Sequence, residues 1–317
     1  MPGARRALRA VGPAGFMAAA ATGACVLASA PASTPPAGLT VEHVGTYVWH
    51  HAAEDFGGFS AVEMSADGSR YTALSDRATL RWGSVTRDTQ GRVRGLSVAG
   101  TAQLKDSRGR PLPPGWIGDS EGMATDEQGR IHVSFEGMVR IARYDSPDAP
   151  ATQIRGDPGF RSLLRNTALE ALAILPDGRL LTIPEAPPSE GTRYPVWVGG
   201  DGDWSVPWTI PPDGDFAPVG ADVGPDGRLY LLERDFKGVL GFASRVRRFD
   251  IADPATGELA DDIGAGETLL TTRFLQYDNL EGISVWQDGR GIRLTMISDD
   301  NFMFLQRTEL VEYRVTE

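Results

Sequence analysis

Cysteine, histidine and basic residues are all scarce in this chain of 317 residues. A single Cys excludes a disulfide framework and a zinc site built on paired cysteines. Only 31 Lys and Arg stand against 42 Asp and Glu, which gives a net charge of −11. This acid excess argues against binding to nucleic acid or to an anionic membrane surface, because both require a basic face. Four His disfavour a zinc centre and a Ser-His-Asp triad.

Long apolar stretches are also missing, apart from one at the N-terminus. Arg5, Arg6 and Arg9 precede an Ala-rich apolar segment that ends in small residues at positions 28–30. A basic start, an apolar core and a small-residue cleavage site are the pattern of a signal peptide. We therefore predict a signal peptide over residues 1–30, a Pro/Ala-rich tether over residues 31–40 and a folded domain over residues 41–317.

The mature protein is then expected to be exported, with no integral membrane segment. Secreted, periplasmic and cell-surface locations all stay open. A retained membrane anchor is less favoured, because Pro13 interrupts a segment that is only weakly hydrophobic. Lipid modification of Cys25 is a minor alternative, because Thr22 stands where a lipoprotein signal usually has Leu. The Arg5-Arg6 pair is a weak twin-arginine signal.

Helical periodicity is absent after residue 40, and a hairpin pattern takes its place. An apolar segment, an Asp-Gly or Gln-Gly turn and a second apolar segment recur five times. The turn glycines are Gly68, Gly129, Gly178, Gly227 and Gly289. Each copy predicts a β-hairpin, with the turn glycine supplying the positive φ that a tight turn needs.

Repeated hairpins of this kind predict an all-β fold, and specifically a β-propeller. About 277 residues at about 45 residues per blade predict about six blades. Five are visible as repeats, and the sixth would come from residues 192–210 or from the two chain ends. Residues 41–49 and 310–315 both have the pattern of strands, so they can pair in one blade and close the ring. A jelly roll or a β-sandwich is less favoured, because neither would produce this repetition.

Acidic residues recur at fixed positions in the five copies. Eight residues before the turn glycine stand Glu121, Glu170 and Glu281, and five residues before it stand Glu63 and Asp222 in the other two copies. The second strand of each copy ends in an acid: Asp76, Glu136, Glu185, Glu233 or Asp299. Because equivalent strand ends meet at one face of a propeller, we predict roughly ten carboxylates around one axial funnel.

A funnel of carboxylates calls for a compensating cation. Like charges at short range repel one another and raise each other's pKa unless a cation lies between them. Oxygen ligands without Cys favour Ca²⁺, with Mg²⁺ as the alternative, over zinc. For any single acid the competing interpretation is a turn cap or an ion pair, and Arg77 and Arg234 are the nearby arginines. For the set as a whole we favour a functional funnel.

Four groups of residues resemble a known family. They are 57–77 (GGFSAVEMSADGSRYTALSDR), 119–124 (DSEGMA), 166–173 (NTALEALA), and 278–285 (DNLEGISV) together with 298–302 (SDDNF). On these motifs the chain resembles the phytase-like, or "esterase-like activity of phytase", domain family over about residues 50–317. The resemblance implies a secreted domain with a phosphoester-hydrolysing activity.

The family's acids carry over to named positions of this chain. They correspond to Glu63, Asp76, Glu121, Glu170, Glu281, Asp299 and Asp300. Two copies depart from the family pattern. Ala168 and Ala171 stand where the family often has Gly, and Val219 replaces the acid of the fourth copy.

Two functions of different classes follow. The first is a monomeric, metal-dependent phosphoester hydrolase that acts on a small phosphorylated molecule. In it Glu63 and Asp76 are the catalytic residues, and the metal ligands are Glu121, Glu170, Glu281, Asp299 and Asp300. The second is a non-catalytic binding propeller whose funnel holds a cationic ligand or a structural ion. A propeller fold does not choose between them, whereas calcium-dependent turnover of a phosphoester would.

Overall fold

A computed structural model describes residues 38–163, 168–189, 191–253 and 256–317. The predicted signal peptide, Cys25, most of the tether and Asn166 of the third motif lie outside these residues. None of the helices in the described ranges has the length and hydropathy of a membrane span. Only two short 3₁₀ turns occur there, at Pro158–Ser162 and Gly238–Leu240.

The described residues form twenty β-strands. In chain order they are β1 Thr40–Val48, β2 Phe59–Met64, β3 Arg70–Ser75, β4 Thr79–Arg87, β5 Val93–Gln103, β6 Ser120–Thr125, β7 Ile131–Phe135, β8 Arg140–Tyr144, β9 Thr152–Ile154, β10 Ala171–Ile174, β11 Leu180–Ile183, β12 Tyr194–Gly200, β13 Asp203–Ile210, β14 Ala217–Val223, β15 Leu229–Phe236, β16 Phe242–Phe249, β17 Glu267–Thr271, β18 Asn279–Asp288, β19 Gly291–Asp299 and β20 Glu309–Thr316.

These strands form a β-propeller, as the repeats predict. Within the described residues there are five antiparallel sheets of four strands, ordered β2-β3-β4-β5, β6-β7-β8-β9, β10-β11-β12-β13, β14-β15-β16-β17 and β18-β19-β20-β1. The first strand of each sheet contacts the first strand of the next, and β18 contacts β2. The five inner strands therefore form a closed ring around an axial channel.

The prediction of about six blades was wrong, since the structure has five. Residues 192–210, one candidate for the sixth blade, contribute β12 and β13, the two outer strands of the third blade. Counting the turn glycines gives the observed number. Dividing the chain length by a typical blade length overestimates it, because long loops such as residues 104–119 connect the blades.

The predicted pairing of the chain ends is confirmed. Strand β1 lies antiparallel to β20, with Val41 opposite Val315 and Tyr47 opposite Leu310. The N-terminal strand thus forms the outer edge of the blade that the C-terminal residues build. Each end depends on the other for its backbone hydrogen bonds.

The apolar core lies between adjacent blades and not inside any one of them. Strand residues alternate between the two faces of each sheet, so both faces bury apolar side chains against neighbours. For example, Leu181 and Val196 of the third blade pack with Leu229 and Leu231 of the fourth. Four further clusters join the other neighbouring pairs. This packing holds the inner strands in a fixed arrangement around the axis.

Candidate functional site

One end of the axial channel opens into an acidic cavity of about 1050 Å³. Nine carboxylates and two arginines are among the residues that line it. The carboxylates are Asp76, Asp119, Glu121, Glu136, Glu170, Glu185, Asp278, Glu281 and Asp299. We call this cavity the funnel. The predicted convergence of acids from the hairpin ends on one face is therefore observed for seven of them: Asp76, Glu121, Glu136, Glu170, Glu185, Glu281 and Asp299.

A small residue seven positions before each turn glycine, directly after the acid where there is one, lets the inner strands pack closely. A Cβ on Gly122 would lie 2.6 Å from the carbonyl oxygen of Glu170, and one on Gly220 would lie 2.4 Å from that of Glu281. Side chains at these positions would force adjacent inner strands apart. The strand register also shifts across Gly122 and at Gly282, as it does at a β-bulge. Bulges redirect neighbouring side chains, here at the acids next to the axis.

Asp119, Glu121 and Glu136 form the tightest group in the funnel. One carboxylate oxygen from each lies within 4.8 Å of the others. Among the described residues, none of the three forms an ion pair with Lys, Arg or His. Burial raises the pKa of Glu121 well above its usual value, and the charges of Glu281 and Glu136 add to the shift. Burial and the charge of Asp119 raise the pKa of Glu136 to about 7.

The other side of the funnel is neutralised by Arg234. Its guanidinium pairs with Glu185 (Nη2 to Oε1, 2.7 Å) and with Glu281, and it donates to Asn279 Oδ1 at 2.8 Å. Asn279 also donates to Glu281 Oε1 at 2.7 Å. Burial nevertheless raises the pKa of Glu281, although the charge of Arg234 opposes the shift. The funnel thus has one compensated side and one side where negative charge accumulates.

Three further funnel acids also have raised pKa values. Burial raises the pKa of Asp76 to about 6. Burial and the charge of Glu281 raise the pKa of Asp299 to about 8. Glu170 is 8% exposed, and burial followed by the charge of Glu121 raises its pKa well above the usual value. Carboxyl groups with such pKa values can exchange protons near neutral pH.

Glu63 does not lie in the funnel. It stands five residues before its turn glycine, not eight, and three strand residues move a side chain about 10 Å along the axis. It lies at the opposite end of the channel with Asp222. Burial, then the charge of Asp222, raises the pKa of Glu63. Asp222 accepts hydrogen bonds from the backbone N–H groups of Val223 and Val285 at 2.7 and 2.6 Å.

Three more residues named from the sequence have structural contacts outside the funnel. Asp300 accepts from the N–H of Gly58 at 2.9 Å and from Thr308 Oγ1 at 3.0 Å, so it anchors a loop. Glu233 was expected at the funnel, but it is fully buried between Arg245 and Arg247. Arg77 pairs with no funnel acid among the described residues, and its guanidinium lies over the ring of Phe302.

Two members of the tight carboxylate group were not singled out as ligands from the sequence. Glu136 does carry a signal, because it is the strand-end acid of the second copy. Asp119 precedes Glu121 by two residues, and its recurrence is visible only in the fifth copy, where Asn279 precedes Glu281. The pairing of Arg234 with residues of two other blades has no sequence signal.

Comparison with known proteins gives one family and a set of distant folds. A family model described as "Phytase-like: Esterase-like activity of phytase" matches residues 54–302. No curated protein matches the chain. Among solved structures, a streptogramin B lyase is similar at 11% identity, with 88% of this chain and 98% of that chain covered and a TM-score of 0.38. The RRP9 WD40 repeats are similar at 6% identity, with 88% and 100% covered and a TM-score of 0.48.

Proposed function

The chain belongs to the phytase-like family, and for this member we propose that the funnel binds a divalent cation, Ca²⁺ in the first place, and hydrolyses a phosphoester there. The observation that carries the proposal is the group Asp119, Glu121 and Glu136, whose oxygens lie within 4.8 Å of one another without a positive partner among the described residues. Three clustered carboxylates are a donor set that fits Ca²⁺ or Mg²⁺. Such an ion neutralises phosphate charge and acidifies a water molecule.

The chain's own residues supply the remaining functions. Asp119, Glu121 and Glu136 would hold the cation, and Glu170 lines the same cavity. Arg234 uses three of its five N–H groups on Glu185, Glu281 and Asn279. Its fork is therefore held in a fixed orientation at the cavity, where arginine is suited to contact phosphate oxygens.

Asp76 is the proposed proton acceptor. It lines the funnel, and its pKa of about 6 leaves it ionised but still basic near neutral pH. Glu63 is not included in this proposal, because it lies at the other end of the channel. Asp299, with a pKa raised to about 8, is protonated at neutral pH and can donate a hydrogen bond to a phosphate oxygen.

Calorimetric titration and a turnover assay test the proposal together. Wild type should bind Ca²⁺ saturably and hydrolyse 4-nitrophenyl phosphate only when Ca²⁺ or Mg²⁺ is present. Asp119→Asn and Glu136→Gln should weaken the binding of the ion and the turnover. Glu127→Gln makes the same chemical change on an exposed turn and should alter neither. Absence of saturable ion binding in the wild type would refute both the metal site and the hydrolase.

A second function is supported by the charge of the funnel. Nine carboxylates face two arginines, so without a metal ion the cavity favours a cationic organic ligand over a phosphate. A non-catalytic binding propeller would then bind alkylammonium compounds without Ca²⁺ and show no turnover. The same titration, repeated in the presence of EDTA with a tetraalkylammonium salt, separates the two functions.

Export of the protein is also proposed, on the basis of the N-terminal residues alone. The Arg-containing, Ala-rich leader ends in small residues suited to cleavage. Sequencing of material recovered from outside the cytoplasm should show a mature N-terminus between residues 24 and 33. Recovery of the mature protein with Met1 intact in the membrane fraction would contradict this.

A further inference from the structure

Exposed apolar side chains gather at the mouth of the funnel. Six large hydrophobic residues of the fourth and fifth blades are exposed there: Phe236, Val239, Leu275, Met303, Phe304 and Leu305. Val239 is 97% exposed and Phe304 is 94% exposed. Five of the six line the same cavity as the carboxylates, and Phe304 lies between two of them in the chain. We call these six side chains the rim.

The rim is presented by three hydrogen-bonded loops. Residues 237–241, 272–278 and 300–308 connect strands at the funnel face. The N–H of Leu275 donates at 3.2 Å to the carbonyl of Phe242, the first residue of β16, which joins the second loop to the strand that follows the first. Gln306 Nε2 and the N–H of Arg307 donate to the carboxylate of Asp278 at 3.1 and 2.9 Å, which joins the second and third. These hydrogen bonds hold the loops that carry the rim in fixed positions.

Backbone conformation on these loops is unusual. Five described residues other than glycine have positive φ, and three of them are Leu275, Asn301 and Phe302 on the rim loops. Positive φ is unfavourable for a residue with a Cβ, and such residues concentrate at ligand-binding sites. Leu275 combines this strain with 69% exposure. A group of exposed apolar side chains at the mouth of a cavity is typical of a ligand-binding surface.

We propose that the funnel takes an amphiphilic phosphoester, with the phosphate group in the acidic cavity and an alkyl or aryl group on the rim. This inference rests on the proposed function for the identity of the polar group. Carboxylates and rim side chains line one continuous cavity, so a single ligand can contact both. An anionic membrane is disfavoured as the occupant, because Asp278 lies outside the proposed cation site and would repel a surface of many anionic headgroups, whereas the cation compensates the charge of a single phosphate. A second copy would bring two acidic funnels together.

A chain-length series tests the inference. Methyl, butyl, hexyl and octyl phosphate are compared with Ca²⁺ present and below their micellar concentrations. Each added methylene that reaches the rim should tighten binding by about two- to fourfold. Octyl phosphate should therefore bind at least tenfold more tightly than butyl phosphate. In Val239→Ser and Leu305→Ser, the ratio of octyl to methyl affinity should fall at least fivefold.

A matched control and a second polar group separate the possible outcomes. Val206→Ser changes an exposed apolar residue on β13 that does not line the cavity, and it should leave the series unchanged. If all alkyl phosphates bind with equal affinity and methyl phosphate is turned over, the rim does not bind the apolar group, but the proposed hydrolase activity stands. If octyltrimethylammonium binds, binding weakens in the rim variants and no phosphoester is turned over, the rim does bind an apolar group, but the hydrolase proposal is wrong.

A vesicle experiment distinguishes a single ligand from a membrane. Vesicles of phosphatidylcholine with phosphatidic acid are sedimented with wild type and with Leu305→Ser. Tight vesicle binding by wild type that the substitution abolishes, combined with an alkyl phosphate series of equal affinities, would make the rim a membrane contact and overturn the inference. Chain-length dependence with monomeric alkyl phosphates supports it, whatever the vesicles show.

Discussion

Replacing Glu121 by Gln should stabilise the metal-free protein and weaken its response to calcium. One carboxylate oxygen of Glu121 lies within 4.8 Å of a carboxylate oxygen of Asp119 and of Glu136. At that distance two ionised carboxylates repel by about 3 kcal/mol at an effective dielectric constant of about 20. Partial protonation already relieves part of this repulsion, because burial raises the pKa of Glu121 well above its usual value and that of Glu136 to about 7. We therefore expect a gain of about 1–3 kcal/mol on removing the charge of Glu121.

The same substitution removes a proposed ligand. If Ca²⁺ is present at about 100 times its dissociation constant, it should stabilise wild type by about 2.7 kcal/mol. For a domain of this size, 1 kcal/mol corresponds to about 2–4 °C in Tm. Wild type should thus melt about 5–10 °C higher with Ca²⁺, whereas the Glu121→Gln protein should melt higher than wild type in EDTA and gain little from Ca²⁺. The order of the two melting temperatures should reverse.

Differential scanning calorimetry in EDTA and in 1 mM Ca²⁺ measures both effects. Glu127→Gln is the matched control, because Glu127 is an exposed acid at the turn of the same hairpin, at the opposite end from Glu121. It should behave as wild type in both buffers. A lower Tm for Glu121→Gln in EDTA would mean that Glu121 makes a stabilising contact. An unchanged calcium shift would show that Glu121 is not a ligand.

Three further predictions concern the fold and its buried charges. Deleting residues 310–317 removes β20, which pairs with both β1 and β19, so the cooperative thermal transition should be lost; a truncated protein with native Tm would contradict the observed closure. Glu233→Gln removes the carboxylate that buried Arg245 and Arg247 share, so that Arg247 loses its acidic partner and Arg245 keeps only Asp213. It should cost about 3–5 kcal/mol in urea unfolding, and a loss below about 1 kcal/mol would refute this. Burial raises the pKa of Asp222 to about 7 from its usual value of 3.8, so between these pH values the folded state holds a proton that the unfolded state has lost. The stabilisation from this proton is lost as the pH rises through 7. Asp222→Asn should therefore flatten the fall of Tm between about pH 5 and 8, and equal slopes in the variant and wild type would exclude the effect.

The two faces of the ring differ in how their charges are satisfied. At the hairpin turns, acids such as Asp126 and Asp177 accept from nearby N–H groups and pair with an arginine two or four residues later. These contacts are local and lower the pKa of both acids. At the funnel the acids belong to different blades, and burial raises the pKa values of seven of the nine. The acids at the hairpin turns therefore have a structural role, whereas those at the funnel are available to bind a ligand.

Local sequence determined the repeating unit of this protein and the end of each hairpin at which the acids lie. Strand alternation, Asp-Gly turns and the small residue after each acid are properties of neighbouring residues, so they are readable without a structure. From them followed the propeller fold, the pairing of residues 41–49 with 310–315, and the meeting of Glu121, Glu170 and Glu281 in one cavity. The family resemblance assigned roles to the acids of these motifs but did not show where they lie relative to one another.

Closure of the ring decided everything that depends on residues of different blades. The number of blades is five because loop lengths, which no periodicity constrains, take up the rest of the chain. Arg234 neutralises Glu185 and Glu281 across blade boundaries. Within the fourth blade, Glu233 on β15 is buried between two arginines of the adjacent strand β16, which follow it by 12 and 14 residues. Glu63 lies at the other end of the channel because three residues along a strand move a side chain about 10 Å. Charge compensation depends on distances in space, and only the tertiary structure sets those distances.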